Sequence, residues 1–254
     1  MSENVITLSG PYKGIETSIE ACASEFRETS PQLHEACSDH TESVVSKISS
    51  DDTVVPGSEL ADDAELTAFQ QFIEKQHTEY WFADLNGRGS DLDLEWSSFK
   101  TAIRLHAEHT YLNAFNAYMT ASETFSRIEQ SRQETKSLLE DTKSRLQQGR
   151  LEPESEEQES IQSLFADLKE LVSETTEDLE AAKTAVVRAH AYYTIADCYR
   201  DEYDLDPAQF SYVSLGDDAD WFLEDLRHRR SRSETRVRWI RKDYSKLANT
   251  LQDE

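Results

Sequence analysis

The sequence predicts an all-α protein: an elongated helical bundle with a long antiparallel coiled-coil hairpin and a C-terminal basic heptad helix. Three observations carry that reading. Only seven Gly and five Pro punctuate the 254 residues, and they fall at seams: Gly10-Pro11, Pro31, Pro56-Gly57, Gly87 and Gly89, Gly149 with Pro153, Pro207 and Gly216. Between the seams, apolar residues recur every three or four positions, the spacing that lines one face of an α-helix. Two of the periodic segments keep the alternation long enough to read as heptads.

The first two helices lie between about 12 and 49. Ile15, Ile19, Cys22 and Phe26 mark one, and Leu33, Cys37, His40, Val44 and Ile48 mark the next. Pro31 separates them, because proline is tolerated in a first helical turn and breaks an interior one. Residues 49 to 59 (SSDDTVVPGSE) read as a linker. A third helix is predicted from about Leu60 to Phe82, with Leu66, Phe69, Ile73 and Tyr80 on one face, closed by the loop LNGRGSD.

The longest periodic segment begins near Asp93 and runs to about Gln148, through Trp96, Phe99, Ile103, Ala114, Ala117, Ala121, Phe125, Ile128, Leu139 and Leu146. A continuous helix of that length would measure roughly 80 Å at 1.5 Å per residue. After Gly149 and Pro153 the chain restarts. Positions 161, 165, 168, 172, 175, 179, 182, 186, 189, 193, 196, 200 and 203 alternate by four and three, and all but Thr175 and Arg200 are apolar or aromatic. Two long helices joined by the short GRLEP turn are expected to fold back on each other, so that residues whose numbers sum to roughly 304 face one another. Tyr111 to Met119 then meets Val186 to Tyr193, the two most apolar stretches of the pair, and the polar stretches near the turn meet in a thinner arm.

The last helix, from about Asp218 to Leu251, repeats at Leu223, Leu226, Arg230, Ser233, Val237, Ile240, Tyr244, Leu247 and Leu251, with Asp217 or Asp218 as its cap. Short extended pieces are expected at Val5 to Leu8 and Phe210 to Val213. The expected division is 1–50 for the helical pair, 51–59 for the linker, 60–92 for a helix and loop, 93–203 for the hairpin, 204–217 for a loop and 218–254 for the basic helix, within one domain overall.

Composition narrows the function classes. The chain carries 51 Asp and Glu against 26 Lys and Arg, a formal charge of -25. That balance disfavours a nucleic-acid or anionic-membrane binder as a whole-protein description, because phosphate contacts need clustered cations. The excess of Arg over Lys, the acidic surface and the many Ser and Thr resemble the cytoplasmic proteins of salt-in halophiles, in which negative charge maintains solubility. Three cysteines, Cys22, Cys37 and Cys198, make no C-x-x-C pair and no disulfide framework. With no secretory leader pattern and no long apolar run, the expected location is the cytoplasm, with no membrane contact.

Charge placement is the clearest anomaly. Residues 227 to 254 contain nine Lys and Arg against four acidic residues, a net of +5, in a chain otherwise at -30. The candidate interaction surface is Arg227, Arg229, Arg230, Arg232, Arg236, Arg238, Arg241 and Lys242. One reading is a basic helix that neutralises acidic helices of the same molecule or of a second subunit. The other is a phosphate-tracking helix in which Trp239 and Tyr244 stack on bases.

Metal and catalytic signals are weak. His106 and His109 share a helix, with Cys198 opposite His106 in the hairpin register. Glu74-x-x-His77 has the spacing of carboxylate-bundle iron sites, and Asp225-x-x-His228, among arginines, is the nearest second motif. These groups are expected to be structural, so no metal and no cofactor are assigned. No Gly-rich phosphate loop, nucleophile elbow or zinc-protease helix occurs, so no catalytic residues are assigned. The sequence therefore points to a non-enzymatic coiled-coil interaction or scaffold protein. Its partners would be other proteins and copies of itself. A nucleic-acid-associated role through the Arg-rich helix is the alternative, and a helical-bundle metalloprotein is third.

Overall fold

The computed structural model describes residues 6–7, 14–50, 67–68, 70–72, 74–75, 77–79, 96–148, 156–216 and 219–252. The described chain is all-α apart from one two-residue strand pair. Its elements are β1 (Ile6–Thr7), α1 (Ile15–Thr29), α2 (Pro31–Ser50), α3 (Trp96–Gln148), α4 (Glu156–Glu202), a 3-10 turn (Pro207–Gln209), β2 (Val213–Ser214) and α5 (Trp221–Gln252). The described residues between 67 and 79 are also helical. The expected linker beyond Ser50, the loop LNGRGSD, the GRLEP turn and the Asp217 or Asp218 cap lie outside the described residues.

Local chemistry sets the boundaries. Gly14 precedes α1 with φ 98°, a left-handed conformation that glycine adopts without a Cβ clash. Ser30 ends α1 and starts α2. Its N–H donates to the Phe26 carbonyl at 2.9 Å, its Oγ accepts from the Leu33 N–H at 3.4 Å, and Pro31 occupies the first turn, where a missing N–H costs nothing. At the end of α4, Asp204 takes φ 48° and the Leu205 N–H returns to the Arg200 carbonyl at 2.9 Å, a left-handed helix stop made by Asp instead of Gly. The Asp206 carboxylate then accepts from Ala208 N at 2.9 Å and starts the 3-10 turn. β1 and β2 pair in parallel, Ile6 with Val213 and Thr7 with Ser214.

The chain divides into two compact units, residues 1–119 with 184–224, and residues 120–183 with 225–254. In the first unit α3 and α4 run antiparallel. Phe99 meets Tyr203 at 6.1 Å between ring centres, His106 meets Tyr199 at 4.5 Å and Tyr111 meets Tyr193 at 5.6 Å. Its core is large and aromatic: Phe26, Phe99, Tyr111, Phe115 and Phe222 are all nearly fully buried beside Leu33, Ile103, Leu105 and Leu112.

In the second unit the arms of α3 and α4 are again antiparallel, with Arg127 on Asp178 at 2.8 Å and Arg145 on Ser160 at 2.8 Å. The α5 segment runs parallel to α3. Arg229 meets Ser122 and, seven residues on, Arg236 meets Glu129. Leu139, Leu168 and Leu247, one from each helix, form a small apolar cluster, and Phe165 stacks on Tyr244 at 5.2 Å. On α4 the positions spaced by four and three, Leu168, Val172, Thr175, Leu179 and Ala182, are the buried ones.

Candidate interaction surface

The arginine-rich segment belongs to the second unit and presents two sets of cations. Arg229, Arg230 and Arg236 are half-buried and bound within the unit. Arg229 Nε bridges Asp225 at 2.7 Å and its guanidinium donates to Ser122 Oγ at 3.1 Å. Arg230 Nε pairs with Glu234 at 2.9 Å. Arg236 pairs with Glu129, and the same carboxylate takes Arg132 at 3.0 Å. These contacts are partly exposed, so each contributes only about 1 kcal/mol or less.

Arg227, Arg232, Arg238, Arg241 and Lys242 form the second set. All five are exposed, and none of their side chains has an ion-pair or hydrogen-bond partner among the described residues. At 100° per residue Arg227, Arg238 and Lys242 fall on the side of α5 opposite its buried stripe of Leu226, Ser233, Val237, Ile240 and Leu247, and Arg232 and Arg241 stand on its two flanks. Between Arg227 and Lys242 the helix rises about 22 Å. Trp239 stands on this ridge, 63% exposed, and it is the one exposed large hydrophobic residue among the described residues. Beside it lies a cleft of about 350 Å³, walled by Thr135, Leu139 and Ile240 and rimmed by Arg132, Lys136 and Asp243.

The same unit carries a second, acidic groove of about 530 Å³ between its α3 and α4 arms. Gln130, Ser131 and Glu134 form one wall and Glu174, Glu177 and Asp178 the other, with Ala181 at one end. Arg127 reaches in only as far as Asp178.

His106, His109, His77 and Cys198 belong to the first unit and make packing contacts or hydrogen bonds there, whereas His228 lies exposed in the second. His106 Nε2 lies 3.4 Å from Thr41 Oγ1, and its ring packs edge-on against Tyr199. Burial lowers the pKa of His106 to about 3 and that of His109 to about 4, so both are neutral at pH 7. Cys198 Sγ accepts from Gln70 Nε2 at 3.4 Å, and His77 packs against Phe99 and Tyr203. Burial raises all three thiols, Cys37 to about 12, which is the opposite of the shift that activates a nucleophilic cysteine. Among the described residues no group of three or more His, Cys, Asp or Glu is placed to hold a metal ion. Among the described residues, too, no helix is long and apolar enough to cross a membrane.

Sequence reasoning passed over one polar constellation. Glu108 is fully buried, with Arg104 at 3.6 Å and the backbone N–H groups of Ser211 and Tyr212 donating to it. Burial raises its pKa to about 7 against the opposing pull of Arg104 and the two amides. Arg104 also donates to the Gln209 carbonyl at 3.0 Å, and the Tyr212 hydroxyl donates to Glu25. Together these contacts tie the loop that carries β2 to α1 and α3. The signal was present in the spacing: Leu105, Glu108, Leu112 and Phe115 alternate by three and four, which places a carboxylate on an apolar stripe.

Compared with protein-family models, curated proteins and solved structures, the chain matches none.

Proposed function

We propose that this chain is a non-enzymatic interaction and scaffold protein that works through helical surfaces and assembles with copies of itself in a halophile-type cytoplasm. The hairpin over 93–203, with α5 as its basic heptad helix, is part of that reading, supported by the antiparallel contacts made by α3 and α4 inside each unit. One observation carries it: five exposed cations, whose side chains have no partner among the described residues, stand on the outward surface of α5, in a chain whose formal charge is -25. Neutralising acidic groups within the same unit accounts for Arg229, Arg230 and Arg236 and leaves the outward five for something else. Packing contacts account for His106, His77 and Cys198, which favours a role for the surface over one for the interior.

The second reading, contact with a nucleic acid through the same face, is favoured by Trp239, whose exposed ring among arginines is the arrangement on which unpaired bases stack. Light scattering on a sizing column, run from low to molar KCl with absorbance at 260 and 280 nm, separates the two. An assembly larger than the monomer and free of nucleic acid supports the scaffold. A monomer at every protein concentration overturns self-assembly, and a monomer that carries nucleic acid moves the α5 face to the second reading.

A further inference from the structure

A face lined with cations does not dock on an identical face, because two-fold pairing of the ridge with itself would set Arg238, Arg241 and Lys242 against their own copies. The ridge needs an anionic counterpart of matching pitch. The second unit presents one. Glu174, Glu177 and Asp178 on α4 are spaced i, i+3, i+4, and so are Arg238, Arg241 and Lys242 on α5. Side chains so spaced line a single helix face, so two such rows can interdigitate along crossing helices. The groove between the arms is open, and Glu134 on its opposite wall is exposed.

We propose that the basic ridge of α5 in one copy seats in the acidic groove between the α3 and α4 arms of a second copy. The inference rests on the self-assembly reading above and names the surfaces that perform it. In the contact Arg238, Arg241 and Lys242 meet Glu134, Glu174 and Glu177. A nucleic acid would match the ridge charge but not the paired row of carboxylates on the same unit, which would repel it. A closed pair uses ridge and groove of both copies and so makes the contact twice.

The test is a charge swap in the full chain. One variant carries Arg238→Glu, Arg241→Glu and Lys242→Glu, and the other Glu134→Lys, Glu174→Lys and Glu177→Lys. All six positions are exposed, so both variants are expected to keep the wild-type circular dichroism and melting behaviour. Alone, each variant sets like charges against each other and is expected to weaken assembly by about 100-fold or more at low salt. Mixed in equal amounts, the two regain complementary surfaces and form a mixed assembly of the wild-type mass. A wild-type assembly that neither variant disturbs overturns the ridge-in-groove contact and leaves the scaffold reading standing. A wild-type monomer overturns both. Disruption by the ridge variant alone, with a labelled oligothymidine bound by the wild type and released by that variant, gives the ridge to a nucleic acid instead.

Discussion

The two units solve the same packing problem with different side chains. The first fills its interior with rings: Phe222 alone packs against Phe115, Tyr118 and Tyr193 at 5.5 to 5.7 Å. The second, with three helices in register, buries the ring of Phe125 but builds its α4 seam from Leu, Val, Ala and Thr. Thr135, Thr142 and Thr175 are fully buried there, each hydroxyl returned to a carbonyl four residues back at 2.6 to 2.7 Å. A hydroxyl satisfied by its own helix can be buried without a partner from another. The first unit uses the same device at Thr110 and adds long-range anchors, such as Glu108 to Ser211 and Tyr212 to Glu25. The wider core thus holds a loop, and the narrower one holds up a charged face.

Substitutions test that contrast, the largest expected effect first. Phe115→Ala removes a fully buried ring, and we expect a loss of about 3–5 kcal/mol in urea unfolding. Thr142→Val is the counterpart in the second unit and is expected to change stability by less than about 1 kcal/mol, since the methyl replaces a self-satisfied hydroxyl of similar volume. Comparable losses from the two would remove the distinction between the cores.

The pH dependence isolates the Glu108 anchor. Its folded pKa, about 7, lies above the ordinary carboxylate value because of burial, so the folded state holds a proton that the unfolded state releases. Its stabilising contribution is therefore present below the unfolded value and is lost as pH rises through about 7. His106 and His109 act in the opposite sense. Both are depressed by burial, so their contribution is present above the unfolded value of about 6.5 and is lost as pH falls towards 4. The wild type is thus expected to weaken on acidification, and Glu108→Gln to weaken more steeply. The difference between the two, read from denaturant midpoints, should grow in the wild type's favour by about 1–3 kcal/mol from pH 7.5 to pH 5. A constant difference would show that Glu108 stays charged throughout.

The smallest effects divide the arginines of α5. Arg236→Ala breaks the contact with Glu129 and is expected to cost about 1 kcal/mol, whereas Arg238→Ala, on the outward face, should stay within about 0.5 kcal/mol of wild type in thermal unfolding. Equal costs would mean that the two sets of cations are not energetically distinct.

Much of the helical framework was legible in the residues themselves. Pro31 begins α2 where proline chemistry requires a first turn, and within the second unit the four-and-three alternation on α4, from Leu168 to Ala182, falls on the residues that are buried. The candidate surface was legible only in part. All eight cations stand out as a charge anomaly, yet those that turn inward do so because Glu129, Asp225, Ser122 and Glu234 are within reach, and Glu129 and Ser122 are distant in sequence.

What the sequence alone determined, then, is what depends on neighbours three and four residues away: the helices, where prolines and glycines interrupt them, and which stripe of each is apolar. What only the tertiary structure decided depends on groups brought together across a hundred residues. It buries Glu108 under the amides of Ser211 and Tyr212, withdraws Arg236 to Glu129, and leaves Arg238 and Lys242 facing outward. Helix periodicity is a local steric property written in spacing. The state of a charge is set by burial and by the charges packed against it, and neither exists until the helices are assembled.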